Sequence, residues 1–460
     1  MTYRKILNII FICSVVTLFS SCRIGRSYKK PELPLPEKFD TMGLEEDVTA
    51  EMGWSTLYQD TVLQKLIEKA LEDNKDMRIA TAQIKELAAI KRINLAGLLP
   101  EFGVLVSGDR EYLNYGGKDK SYENEFDAKL TFGWELDLWG NLRWQNEVGV
   151  TQFLQSVENQ RALQLSIVAE VATMYFELKA LDSELKIVKQ TLEARQESFG
   201  FARLRYEGGM TSEIPYRQSM VELARTQTLV PKLENEIKLK ENEIAVFLGE
   251  YPYDIPRGID FKDIPDIEDL PVDLPSSVLM NRPDVREAEL KLQEANAKVG
   301  VALTNMFPRI RLTGNLGGES DELRNFLQSP AWYIAGAITG PIFNFGKNNA
   351  RHKAAKAAYE QEVYRYEKKV LNVFQEVSNA INTFQKTKEM YQSAAALYHS
   401  TKTYSELATL QYVNGVISYM DVLDAQRQLF DAEIALNDAV LNRMFATVSL
   451  YKALGGGLVK

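Results

Sequence analysis

The chain has 460 residues, 45% of them apolar, enough to bury the cores of several ordinary domains. Its formal net charge of −9 and pI near 5.2 argue against a nucleic-acid partner, which requires a basic face. Nothing in the composition marks a disordered chain.

Arg4 and Lys5 form a short positive region, and Ile6 to Phe19 follow as an apolar stretch. A bilayer span takes about 20 apolar residues, so this stretch reads as the core of a signal peptide covering 1–21. Ser20 and Ser21 then precede Cys22, the lipobox pattern in which the cysteine becomes the lipidated first residue of the mature chain. Phe19 stands where such boxes usually carry Leu, and the plainer alternative is an ordinary cleavage site beside a chance cysteine. Cys13 lies in the removed segment, so Cys22 is the one thiol left and an internal disulfide is excluded.

The rest of the chain is organised by an internal repeat. Residues 74–100 align with 282–308 at an offset of 208, matching Asp76 with Asp284, Arg78 with Arg286, Glu86 with Glu294, Leu95 with Leu303 and Pro100 with Pro308. From Gly140 onward the offset is 206, matching Gly140 with Gly346, Glu170 with Glu376, Tyr206 with Tyr412, Gly209 with Gly415, Ser212 with Ser418 and Leu248-Gly249 with Leu454-Gly455. The change falls between Pro100 and Gly140, where a loop absorbs it. The predicted order is an N-terminal segment with a first helix (22–75), repeat one (76–250), a Pro- and Asp-rich linker (251–283), repeat two (284–457) and a tail (458–460).

Each repeat starts with a helix of modest length, 76–98 and 284–306. A β-hairpin comes next, at about 101–138 and 308–345, and then a long helical hairpin, 141–248 and 347–454. Lys347 to Asn414 holds no Gly or Pro over 68 residues, about 100 Å at helical rise. Tyr359, Val363, Tyr366, Val370, Val373, Val377, Ile381 and Phe384 recur there at steps of four and three, which is coiled-coil spacing. The first copy is interrupted by Gly149 and Gly200, and Pro231 should kink its return helix.

From Glu125 to Asp137 the pattern alternates. Phe126, Ala128, Leu130, Phe132, Trp134 and Leu136 take one face; Glu125, Asp127, Lys129, Thr131, Glu135 and Asp137 take the other. Arg309–Leu316 repeats the pattern, Phe102, Val104 and Val106 begin a further strand, and a fourth around Trp332–Phe345 is apolar on both sides. This is the pattern of a membrane barrel strand, although a strand half-buried in a soluble sheet would read the same way. Four strands cannot close a barrel, and a bilayer leaves no open edge satisfied, so several chains must pool their strands.

The chain resembles the TolC-like outer membrane factors, in particular their lipoprotein branch. The resemblance is carried by Gly25, Tyr28-Lys29-Lys30-Pro31, Gly53-Trp54, Trp134 to Gly140, Arg282-Pro283-Asp284-Val285-Arg286, Phe307-Pro308 and Asn344-Phe345-Gly346. Tyr412-x-x-Gly415-x-x-Ser418-Tyr419, Leu423 to Arg427 and Leu450 to Gly457 complete it. It implies a mainly α fold with a transmembrane β-barrel portion: a homotrimer pooling a 12-strand β-barrel and a long 12-helix α-barrel from an internally duplicated chain. It also implies an outer-membrane location extending into the periplasm. The partners it implies are outer-membrane lipid, a periplasmic adaptor and an inner-membrane transporter of the RND type. Neither a cofactor nor a reaction is implied.

At the hairpin tips, Tyr206-x-x-Gly209-x-x-Ser212 and Tyr412-x-x-Gly415-x-x-Ser418 place a helix-ending Gly before a capping Ser, and Asp421 completes a capping-box variant. Capping alone explains that spacing; the resemblance makes these tips the adaptor-docking surface. Asp424 and Arg427 have the spacing of a surface ion pair. The resemblance instead makes Met420, Asp421, Asp424 and Arg427 a periplasmic constriction, with carboxylate rings that gate passage and favour cations.

His352 and His399 are 47 residues apart on one helix, roughly 70 Å, so they share no metal. The sequence carries no phosphate loop, Cys cluster or Ser-His-Asp arrangement. Tyr112, Tyr115, Tyr122, Trp134, Trp139, Trp332 and Tyr333 are candidates for interfacial girdles. The rival readings are an outer-membrane channel for type I protein secretion and a soluble periplasmic adaptor. An adaptor would normally carry one helical hairpin between β-rich halves, and here the unit is written twice.

Overall fold

The computed structural model describes residues 23–34, 53–114, 120–261, 279–325 and 328–456. Cys22, the signal segment, Tyr115, the tail and the centre of the linker lie outside the described residues. The chain forms two compact units, one of residues 1–33, 82–158 and 286–368, the other of 34–81, 159–285 and 369–460. Two short helices, α1 (Trp54–Leu57) and α2 (Thr61–Asp73), precede α3 (Lys75–Ala96). The hairpin β1 (Glu101–Asn114) and β2 (Lys120–Leu136) leads into α4 (Asn141–Glu207) and α5 (Glu213–Phe247). The order then repeats: α6 (Pro283–Thr304), β3 (Arg309–Ser320), β4 (Pro330–Thr339), α7 (Lys347–Val413) and α8 (Tyr419–Ala453). Among the described residues, no helix is long and apolar enough to cross a membrane.

The duplication extends to the backbone. Gly140 and Gly346 take φ of +82° and +79°, Gly209 and Gly415 +69° and +76°, and Gly249 and Gly455 +82° and +87°. Asn74 and Arg282 are unlike residues at equivalent positions. Each nevertheless donates to the last carbonyl of a return helix, Asn74 to Phe247 at 2.8 Å and Arg282 to Ala453 at 2.6 Å.

In the first unit the four strands form one antiparallel sheet in the order β1-β2-β3-β4. Pairing sets even-numbered residues on one face, so Val104, Leu130, Leu316 and Trp332 stand side by side, each at least 60% exposed. The odd face is polar in β2 and β3. Lys129 is buried there between Asp127 (2.5 Å) and Glu319 (2.6 Å), and Ser107 donates to Asp127. In β4 the odd face carries Ala331, Tyr333, Ala335 and Ala337, small residues for the most part. The fourth strand is shorter than its sequence pattern suggests, ending at Thr339. Gly340-Pro341 interrupts it, because Pro offers no N–H to a ladder, and Phe345 turns to φ +51°. Asp137 likewise leaves the strand: its carboxylate accepts from the backbone N–H groups of Leu142 and Arg143, capping α4.

The N-terminal segment closes over the strand-to-helix junction of this unit. Trp144 is fully buried, and a Cβ on Gly300 or Gly25 would collide with its indole. The Arg23 guanidinium lies 3.2 Å from the ring centroid and pairs with Glu147. Trp144 Nε1 donates to Ile24 O at 2.8 Å, and Ile24 N–H donates to Trp139 O at 3.1 Å. Further along, Tyr28 and Lys30 both donate to Glu289. Burial, followed by the Glu289 charge, pushes the Tyr28 hydroxyl far above its ordinary range.

One sequence expectation about the first helical hairpin changes. The helix α4 is unbroken from Asn141 to Glu207, so Gly149 and Gly200 do not interrupt it. Gly149 instead admits the Asn94 side chain, which a Cβ would strike. The helix α5 likewise runs through Pro231.

In the second unit Asp60 caps α2, accepting from Val62 N–H at 2.8 Å, and it also accepts from the Tyr175 hydroxyl at 2.8 Å. Tyr366 of the first unit and Val370, Val373, Val377 and Ile381 of the second, all from the coiled-coil series, are buried. Arg282 is buried against Asp284 (2.8 Å) and Glu376 (2.8 Å), and Lys369 reaches Asp284 at 2.7 Å.

Candidate functional site

Both tips of the helical hairpins belong to the second unit, and their backbones are the same motif. Met210 N–H donates to Arg205 O and Gly209 N–H to Tyr206 O; in the second tip Val416 donates to Gln411 and Gly415 to Tyr412. These are the paired bonds that end a helix on a left-handed residue, and Gly at that position avoids the Cβ penalty.

The tips differ in how the return helix begins. Ser418 N–H and its Oγ–H both donate to Asp421 Oδ2, at 2.9 and 2.8 Å. Ser212 makes no side-chain cap, and Pro215 stands where Asp421 stands. Asp421→Ala therefore removes an acceptor from the second tip only. It should cost about 1 kcal/mol locally and speed amide hydrogen exchange across residues 419–424. Unchanged exchange there would show that the cap does not hold the tip.

Aromatic contacts join the two tips. Tyr206 stacks on Tyr216 with centroids 5.4 Å apart and planes 6° from parallel, and the Arg205 guanidinium lies 5.0 Å from the Tyr412 ring centroid. Tyr412 packs on Tyr419, which is buried with Ala202, Val422 and Leu423. Burial pushes the Tyr419 hydroxyl up to about 12. Gly209, Ser212, Gly415 and Ser418 are exposed at the turns, as are the apolar side chains Met210, Ile214, Val413 and Val416.

Of the four constriction candidates, Met420, Asp421 and Asp424 are exposed and Arg427 is half-buried. The ion pair suggested by the spacing of Asp424 and Arg427 is not formed. Asp424 accepts from Gln428 Nε2 at 2.7 Å, four residues on along the same face. Arg427 Nε is buried without a hydrogen-bond partner.

The sequence reading missed a buried ion pair close by, between Arg195 and Glu222. Their positions lie nearly equal distances before and after Gly209, which places them at one level on the two arms of the hairpin. That symmetry about the turn was the signal available.

On the polar face of the sheet, carboxylate oxygens of Glu125, Asp127 and Glu319 lie within 4.8 Å of one another. Lys129 already pairs with two of them, Asp127 and Glu319. His352 is half-buried and His399 packs beside Tyr398.

Comparisons with known proteins trace the same outline. The outer membrane efflux protein family matches residues 66–250 and 274–456, two segments whose starts differ by 208 and whose ends differ by 206. The chain is 29% identical to the probable outer membrane lipoprotein SilC of Salmonella typhimurium over 99% of both chains. It is 31% identical to the solvent efflux pump outer membrane protein SrpC of Pseudomonas putida over 96% of each. The cation efflux system protein CusC of Escherichia coli (strain K12) is 30% identical, over 96% of this chain and 98% of that protein. A solved CusC structure superimposes with a TM-score of 0.87, covering 95% of this chain and 100% of that one. Two matched halves and full-length agreement in fold leave one assignment: the chain belongs to the outer membrane efflux protein family.

Proposed function

We propose that the chain is the outer-membrane channel subunit of a tripartite efflux system, passing small molecules from the periplasm to the exterior. The observation that carries this reading is the sheet: one face apolar and exposed, the other polar in β2 and β3, and both edges unpaired. An apolar face fits hydrocarbon and a polar face fits a water-filled lumen. Unpaired edges within hydrocarbon would each cost several kcal/mol per group, so the strands close into a barrel with those of other copies. Three copies of four strands give a 12-strand β-barrel, and three copies of four long helices give the 12-helix α-barrel. The Tyr112–Tyr122 pair and the Trp134–Trp139 side chains sit toward opposite ends of the strands, as two aromatic girdles would.

Cys22 carries the lipid anchor in this reading, and the Arg23 to Gly25 segment packed on Trp144 holds that anchor beside the barrel. The tips Tyr206, Gly209, Ser212, Tyr412, Gly415 and Ser418 receive the periplasmic adaptor, supported by the apolar side chains exposed around them. The adaptor in turn connects the channel to an inner-membrane transporter of the RND type. The relatives are named for cations and for solvents, and the same range is proposed here: metal ions, solvents or drugs.

Met420, Asp421, Asp424 and Arg427 form the periplasmic constriction. Three copies of Asp424 near one axis repel one another and attract cations. Asp424→Ala with Arg427→Ala is expected to raise the resting single-channel conductance in planar bilayers and to weaken cation selectivity. Conductance and selectivity equal to the parent protein would remove these residues from the constriction. Failure of the parent protein to form channels at all would overturn the functional reading.

A further inference from the structure

We propose that the first unit holds a binding site for a small organic anion, and that this site opens into the lumen of the channel. Its place in the lumen rests on the ring assembly proposed above.

The site is a cavity of about 430 Å³, within the range of about 300–1,000 Å³ that small-molecule sites occupy. Asn94, Gln145, Asn305 and Asn348 line it with amides, and Lys298 and Arg351 bring two cations. Three aliphatic side chains complete the wall, and among the described residues no carboxylate lines it. The two cations differ. Lys298 pairs with Glu294 at 2.7 Å, but that carboxylate is buried outside the lining and also accepts from Gln152 and Gln155. Arg351 is exposed and has no hydrogen-bond or ion-pair partner among the described residues. Arg309 adds a third cation near the cavity, donating to Asn305 Oδ1 at 3.1 Å with Glu135 3.9 Å away. A planar guanidinium matches a carboxylate with two parallel bonds, an ammonium adds a point charge, and amides donate without changing the charge. The aliphatic wall suits a short carbon frame between the anionic groups.

The excess positive charge is confined to this cavity. Lys298 also borders a groove of about 730 Å³ between α6 and α7, walled by Ala295, Ala354 and Ala358. There Lys291 pairs with Glu287 at 2.5 Å and Arg365 pairs with Glu362, each on its own helix, so those cations are already matched. Nor are the cavity's charges part of the duplication. Subtracting 208 from Lys298 gives Ile90, and subtracting 206 from Arg351 gives Gln145. Each chain therefore carries one such site.

Two observations put the cavity on the lumen side. It touches α3, α4, α6 and the start of α7 at once. These helices stand side by side in that order: Asn94 occupies the space at Gly149, Asn141 donates to Thr304, and Asn348 donates to Asn305 O. Four helices in a row can surround one cavity only on the concave side of the wall they form, and a closed ring of such walls turns that side inward. The second observation is the N-terminal segment, which meets α6 on its other side. Glu289 accepts from Tyr28 and Lys30, and Asn296 donates to Arg26 O at 3.1 Å. Lys298 lies two residues past Asn296, about 200° around the helix. The segment leads back to Cys22, whose anchor belongs in lipid, so the cavity faces away from lipid.

Isothermal titration of citrate into the purified, detergent-solubilised full-length protein tests the site. Binding should saturate at one citrate per chain. Arg351→Gln should weaken it about tenfold, the loss expected for one charge-assisted hydrogen bond. Lys353→Gln removes a cation from the same helix outside the cavity lining and should leave binding unchanged. Both side chains are exposed, so the two variants should melt with the parent. In planar bilayers citrate should lower the single-channel conductance of the parent, and about tenfold more citrate should be needed with Arg351→Gln. No saturable binding, or equal weakening by the two substitutions, overturns the site. Binding that leaves the conductance of open channels unchanged overturns its place in the lumen. Failure of the parent to form channels overturns the functional reading and the lumen placement with it, while the titration decides the cavity itself.

Discussion

Trp144→Ala should lower the unfolding free energy by about 3–5 kcal/mol, the range for removing a buried Trp side chain from a packed site. The indole is approached on two sides by glycines, Gly25 and Gly300, which have no side chain to move into the space. Arg23 would lose its aromatic partner and Ile24 its donor, while Glu147 would retain an arginine no longer held in place. The consequence should extend beyond stability. Residues 23–25 lie over the junction through these contacts, so the variant should be cut by trypsin after Arg23 or Arg26 under conditions where the parent is not. Equal melting temperature and equal trypsin resistance would show that the segment is held by other means.

Arg282→Met should cost about 2 kcal/mol, because removing the buried guanidinium leaves the part-buried Asp284 carboxylate and the Ala453 carbonyl each short of a donor. Methionine matches the length of the stem, so the loss isolates the guanidinium. Ala453 O loses its donor, Glu376 its partner, and Asp284 keeps only Lys369. The effect has a pH signature. Burial alone would raise the Asp284 carboxyl, but hydrogen bonds from Arg282 and Lys369 outweigh it and hold the group at about 2, against an ordinary value of 3.8. A carboxyl that ionises more readily in the folded state stabilises it fully above the ordinary value, and the contribution is lost as pH falls toward 2. In the variant the carboxyl is held less far below its ordinary value, so the part of the stability lost on acidification should shrink. Melting curves collected from pH 2 to 7 on both proteins would test this; parallel curves would exclude Arg282 as the cause.

Much of the architecture was legible because it was written twice. Asp76 with Asp284 and Gly209 with Gly415 yield offsets of 208 and 206 from the residues alone, and the same offsets relate strand pairs and positive-φ glycines in the fold. Alternation over 125–137 gave β2 its two faces, since a period of two survives wherever one side is apolar. The fourth strand was less legible for the same reason: with Ala331, Ala335 and Ala337 on its second face, no polar contrast marks where it stops. Composition could not show that Gly149 sits inside an unbroken helix. A lone glycine reads as a weak point until the neighbour that needs its space is known, here Asn94.

The candidate site divides similarly. Helix ends at Gly209 and Gly415 and the cap at Ser418 arise from local backbone chemistry, which a short stretch of sequence contains. The partner of Asp424 does not. Arg427 and Gln428 both lie within one helical turn of it, and the arginine stays half-buried while the amide reaches the carboxylate.

What sequence determined by itself were the properties that repeat along the chain: the duplicated order, the helical and strand periods, and the turn residues. Each depends on neighbours a few positions away. Tertiary structure alone decided which distant groups meet: Trp144 between Gly25 and Gly300, Arg195 with Glu222, Arg282 with Ala453. The physical reason is that such contacts depend on the angle and spacing at which whole elements pack. Many side chains set that geometry together, and no single stretch of residues encodes it.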